Sequence, residues 1–217
     1  PFHGALMKLV FRNGSAKSVL FIGDTGAGKS ESIEALRAIG NDAISDIIIV
    51  ADDMGSLKIE NGKVRGYGTE IGAFLRLDDL DPGFAFGQID RAIIMSPSQT
   101  NARIVMPVTT LQTVLEGVDL DMILYANNYE EIDDDHPLLE RFSSPQQALT
   151  VFRDGTVMSK GTTTSSGITH SYFANVFGAP QYKALHDEIA GRYFRAFYDA
   201  GVFVGQIRTR LGIPGME

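Results

Sequence analysis

At 217 residues with 44% hydrophobic positions, the chain is long enough to bury one substantial core and too apolar for the disordered class. Its 19 Lys and Arg against 27 Asp and Glu leave a net charge of −8, so it lacks the broad basic field that nucleic acid or an anionic membrane would select. With no cysteine, disulfides and thiolate metal sites are excluded, a usage that suits a reducing cytoplasm.

In chain order, Leu6 to Phe11 and Ser18 to Ile22 are strand-like and are joined by Arg12-Asn13-Gly14, which predicts a hairpin. The second strand runs into Gly23 to Ser30 (GDTGAGKS), which fits the phosphate-cradling pattern G-x-x-x-x-G-K-[ST]. In such a loop Gly23, Gly26 and Gly28 let backbone N–H groups approach a β-phosphate. Lys29 adds positive charge toward the β- and γ-oxygens, and the Ser30 hydroxyl suits Mg²⁺. Ser30 to Ala38 has helical spacing and Gly40 is placed to stop it.

Ile47 to Val50 (IIIV) predicts a buried strand ending at Asp52-Asp53. A metal bridging phosphates needs a carboxylate at such a strand end, so the pair is a candidate for metal binding and for general-base duty. Asn61-Gly62 marks a second hairpin within Lys58 to Val64. Ala92 to Met95, Ala102 to Val108 and Met122 to Tyr125 are short and β-prone, whereas Pro145 to Arg153 and Gln181 to Ala200 read as helical. Hairpins mixed with helices predict an α/β domain with a mixed sheet and not a regular parallel Rossmann array. No apolar run approaches the roughly 20 residues of a membrane span.

These segments resemble the P-loop enzymes that include ATP-dependent phosphoenolpyruvate carboxykinase and HPr kinase/phosphorylase. FHGALMKLVF, GDTGAGKSE and VADD resemble the kinase, including Asp24 and Glu31 within the nucleotide loop Gly23, Asp24, Thr25, Gly26, Ala27, Gly28, Lys29, Ser30 and Glu31. TEIGAFLRL, TNARIVMPV, YFANVFGAP and VGQIRTRLGIPG resemble the carboxykinase. The resemblance implies a single nucleotide-binding catalytic domain over 1–217, the C-terminal part of a longer chain whose missing N-terminal domain would be its partner.

It also implies ATP and Mg²⁺ as cofactors, with Mn²⁺ as a second cation held by His3 beside a Ser30 and Asp53 site. Lys29, Asp52, Asp53 and Arg103 would be catalytic, Arg103 bridging the phosphoryl group and a small carboxylate substrate. Arg208, with Arg210 nearby, would face the adenine; Glu70 and Arg76 would support the site, and Gly161 to Gly167 would form a lid. The implied reaction converts oxaloacetate and ATP to phosphoenolpyruvate, ADP and CO₂ in the cytoplasm.

The loop departs from the carboxykinase pattern at Ser30-Glu31, and the acidic segment continues as DDMGSL. Two alternatives therefore stand beside that reaction. One is a kinase or phosphorylase acting on a hydroxyl of a protein or small molecule; the other is a non-catalytic nucleotide-sensing module. His136, His170 and His186 lack a partner pattern, and Asp133 to Asp135 reads as a solvated loop.

Overall fold

The computed structural model describes residues 1–24, 26–29, 32, 35–36, 42–76, 103–160 and 166–215. The strands are β1 (Phe2–Phe11), β2 (Ala16–Ile22), β3 (Ile44–Ala51), β4 (Met54–Glu60), β5 (Lys63–Gly68), β6 (Gly72–Arg76) and β7 (Arg103–Pro107), then β8 (Val118–Asp119), β9 (Met122–Asn127), β10 (Leu139–Arg141), β11 (Thr156–Lys160), β12 (Ser166–His170) and β13 (Phe203–Arg208). The helices are α1 (Leu111–Glu116), α2 (Pro145–Asp154) and α3 (Lys183–Asp199).

Nine of the described strands form one sheet in the order β10-β13-β9-β2-β1-β4-β5-β8, with β3 also paired to β1. β2, β9 and β13 are mutually parallel and the other pairs antiparallel, so the expected mixed sheet is present. β1 and β2 form the expected hairpin, and β4 and β5 turn at Asn61 (φ 51°) and Gly62 (φ 76°), two successive left-handed residues as a two-residue turn requires.

Both faces of the central strands are buried, which is why they read as nearly continuous apolar runs. Along β1 and β2 the side chains alternate. Leu6, Leu20 and Ile22 join one core with Tyr125, Phe152, Phe194 and Phe197, while Ala5, Met7, Leu9, Val19 and Phe21 join a second core that packs Leu36. Of the helix expected after the phosphate loop, Lys29, Ser32, Ala35 and Leu36 are helical and the rest lies outside the described residues.

α2 starts at Ser144, whose hydroxyl accepts from the Gln147 amide, has Pro145 in its first turn, and ends at left-handed Gly155 (φ 59°). The expected helix at Gln181 begins two residues later, after a 3₁₀ turn over Ala179–Tyr182. The expected strand Ala92 to Met95 lies outside the described residues. No described helix is long and apolar enough to cross a membrane.

Candidate functional site

The site gathers at the carboxyl ends of the parallel strands β2, β9 and β13. β2 delivers the chain to Gly23, where an added Cβ would lie 2.7 Å from the Ala27 Cβ and 3.1 Å from that of Ala126. Gly26 (φ 79°) and Gly28 (φ 98°) occupy left-handed backbone that a side chain would strain. Lys29 is buried at 8% exposure, and its ammonium donates to the Gly23 carbonyl at 2.7 Å and the Asp24 carbonyl at 3.2 Å. Thr25, Ser30 and Glu31 lie outside the described residues.

Residues that the sequence reading missed seat this loop. Asn128, just past β9 and fully buried, donates to the Gly26 carbonyl (3.1 Å) and the Met158 carbonyl (2.9 Å) and accepts from the Met158 amide (2.8 Å). Thr209, just past β13, donates to the Ala27 carbonyl at 2.9 Å. Ser171, just past β12, donates to Asp24 Oδ2 at 2.7 Å. An isolated Asn, Thr or Ser carries no spacing signal, so only the packing of distant strand ends identifies these three.

The acidic pair sits at a corner. β1 pairs with β3 up to Leu6 and Ala51 and then with β4 at His3 and Met54, so Asp52 and Asp53 occupy the passage between two partners of the same strand. The Gly4 amide donates to the Asp53 carbonyl at 2.9 Å. Gly4 must be glycine, since a Cβ would lie 2.1 Å from the Phe21 carbonyl oxygen. His3 and Asp53, both expected as cation ligands, are brought together with Nε2 3.2 Å from Oδ1.

The other ring nitrogen, Nδ1, is hydrogen-bonded to the Ala174 carbonyl, an acceptor only, so Nδ1 carries the proton. Nε2 faces the Asp53 carboxylate, so a proton on the ring or a cation between the two satisfies both groups. Glu70 approaches the same corner. Its Oε1 is buried without a hydrogen-bond partner among the described residues, and burial, then Asp53, then Asp52 push its carboxyl above the usual range. No group of three or more His, Asp or Glu is arranged as a complete metal cage among the described residues.

Other expectations resolve differently. Arg208 is 2% exposed and closed off: Nε donates to Glu130 (2.9 Å), one terminal nitrogen to the Pro137 carbonyl (2.7 Å) and the other to Glu140 (2.7 Å). The expected adenine contact is thus corrected to a buried ionic tie between β13 and β10, because no face of the guanidinium is left for a base. Arg210 pairs with Glu131 at 3.2 Å. Arg103 and Arg76 are register partners across β7 and β6. Of the expected lid, 161–165 lie outside the described residues, while Ser166 and Gly167 begin β12 and pair with Lys160 and Ser159. His136 and His170 are exposed beside Asp133 and Asp154, and His186 contacts the Tyr172 hydroxyl.

No protein-family model matches the chain, and no curated protein matches it. Among solved structures, the chain is similar to the HPr(Ser) kinase/phosphatase from Coxiella burnetii, with 17% identity, a TM-score of 0.34, and 92% of this chain and 94% of that chain covered. An identity and score this low leave function to the residues themselves.

Proposed function

We propose that this protein transfers a phosphoryl group from ATP to an acceptor held at the His3–Asp53 corner. The observation that carries the reading is the junction of two chemistries at one sheet end. A phosphate-cradling loop is seated by three strand ends, and His3, on the strand that pairs with β2, meets Asp53 from the passage between β3 and β4. Loop amides and Lys29 would stabilise charge on the transferring group, which in such reactions is most of the catalysis.

Asp53 would accept the proton of an acceptor hydroxyl, with the His3 ring 3.2 Å from its carboxylate holding it in place. The donor set suits Mg²⁺, which takes one or two protein carboxylates and completes its shell with phosphate oxygens and water. Asp53, with Ser30 by its place in the motif, would hold the ion, which would neutralise phosphate charge.

A second reading keeps the same loop and replaces the hydroxyl with the enolate of a small carboxylate substrate, as in phosphoenolpyruvate carboxykinase. It is motivated by Arg103 in the TNARIVMPV segment, since a planar guanidinium can hold a carboxylate or a phosphoryl group bidentately. A panel of hydroxyl acceptors and oxaloacetate, each incubated with γ-labelled ATP and Mg²⁺, separates the readings by where the label goes. Lys29→Ala should abolish ATP binding, whereas Asp53→Asn should bind ATP and lose transfer. ATP binding unchanged by Lys29→Ala would remove both readings.

A further inference from the structure

A surface cavity of about 310 Å³ lies between the last turns of α2, the end of β12 and the start of α3, lined by Thr150, Arg153, Asp154, His170, Tyr172 and Lys183. Its volume is at the low end of small-molecule sites, large enough for a metabolite and too small for a polymer segment. None of its six residues belongs to the phosphate loop or to the His3–Asp53 corner.

Donors and acceptors of both signs are left over in its wall. Arg153 pairs with Asp187 through Nε at 3.0 Å, and among the described residues no acceptor meets its two terminal nitrogens. The Lys183 ammonium stands 5.0 Å from the centre of the Tyr172 ring and likewise has no acceptor among the described residues. A planar guanidinium fork in one cavity with an ammonium suits a carboxylate. Asp154 Oδ2 accepts from the Thr156 hydroxyl at 2.5 Å and lies 3.0 Å from His170 Nδ1, so both contacts fall on one oxygen. Oδ1 is left to accept from an ammonium. Arg153 and Lys183 are balanced by Asp154 and Asp187, so a ligand with one charge unbalances the cavity and a ligand with both signs does not.

The cavity also reaches the phosphate loop. His170 and Tyr172 are wall residues, and the hydroxyl of Ser171 between them donates to Asp24 Oδ2 of the loop at 2.7 Å. The Ser171 amide donates to the carbonyl of Gly155, next to Asp154, at 3.1 Å. We propose that the cavity binds a free α-amino acid, with its carboxylate on Arg153 and Lys183 and its ammonium on Asp154, as an effector of the phosphate loop. A ligand that bridges α2, α3 and the His170–Tyr172 segment holds Ser171 on Asp24, and a loop seated in this way binds ATP more tightly. The coupling rests on the loop binding ATP, whereas occupancy of the cavity does not.

The test titrates the 217-residue chain with each proteinogenic amino acid, and with acetate, methylammonium and inorganic phosphate as single-charge probes, following the backbone amides of Arg153, Asp154, His170 and Tyr172 by NMR. At least one amino acid should shift these amides to saturation, and the single-charge probes should not. Lys183→Gln and Asp154→Asn should each weaken that binding about tenfold while leaving the affinity for ATP alone unchanged. The saturating amino acid should tighten ATP binding about fivefold or more in the wild type, and ATP should tighten the amino acid by the same factor. Ser171→Ala should bind the amino acid as the wild type does and lose this coupling; if it fails to fold, loss of the coupling in Lys183→Gln at the same amino-acid concentration decides. No amino acid shifting these amides, or acetate or phosphate binding as tightly, would overturn the site. ATP affinity unmoved by the bound amino acid would overturn the effector role. Failure to bind ATP at all would sink the proposed function, and the amide shifts would still judge the cavity.

Discussion

Asn128 holds Gly26 of the phosphate loop and Met158 of β11 with one side-chain amide, donating to both carbonyls and accepting from the Met158 amide. Because the amide is fully buried, Asn128→Ala leaves these three backbone groups without their partner. The expected cost is about 3 kcal/mol in urea unfolding, with roughly tenfold weaker ATP binding as the loop loses its support. Asn128→Asp should be worse than Ala, since a carboxylate cannot donate to either carbonyl.

Arg208 predicts a large stability effect and a defined acid response. Arg208→Ala should cost about 3–5 kcal/mol, the usual penalty for removing one partner of a buried ionic tie. Burial alone would raise the Glu140 carboxyl, but hydrogen bonds from Gln206 and Arg208 outweigh it and hold the group below its ordinary 4.5. The stabilisation is therefore complete above pH 4.5 and is lost as pH falls through the lowered value. Urea titrations across acid pH should show a shallower loss in Arg208→Ala than in the wild type.

Glu70 predicts the opposite sign. Its carboxyl is raised above 4.5 by burial first and by Asp53 and Asp52 next, so the folded state keeps a proton that the unfolded chain has released. Stability should fall as pH rises from 4.5 through the raised value and stay reduced above it. Glu70→Gln should accordingly melt higher than the wild type at neutral pH, with the gap closing in acid. Mg²⁺ should raise the melting temperature of the wild type more than that of Glu70→Gln, because only the former has that charge to neutralise.

Two glycines separate backbone strain from collision. Gly62 has φ 76° with nothing within 4 Å of an added Cβ, so Gly62→Ala should cost about 1 kcal/mol from conformation alone. Gly155→Ala adds a contact of 1.7 Å to the same backbone penalty and should abolish folding or expel the turn at Ser171. Thermal melts of the two variants side by side check the contrast.

The glycine loop, the acidic corner and the β1–β2 and β4–β5 hairpins were legible because each is local: Gly, Asn and Asp act on their own backbone, and alternation reports on a single strand. β11, β12 and β13 were not foreseen as strands. β13 meets residues far along the chain, as Phe203 meets Met122, and β11 meets β12 across the stretch expected as a lid, neither of which propensity encodes. Arg208 shows the same limit. Its motif resemblance pointed to a ligand, while Glu130 and Glu140, which consume its donors, lie 78 and 68 residues away. Asn128, Thr209 and Ser171 were invisible for the same reason.

The pairings that close the site join residues 50, 147 and 171 positions apart: His3 with Asp53, Asp24 with Ser171, and His3 with Ala174. Closing such long loops is entropically late, so these contacts should be absent from the folding transition state. A nucleotide that binds only the completed site would then leave the refolding rate almost unchanged and slow unfolding instead. Bound nucleotide would thus protect the protein by prolonging the life of the native state.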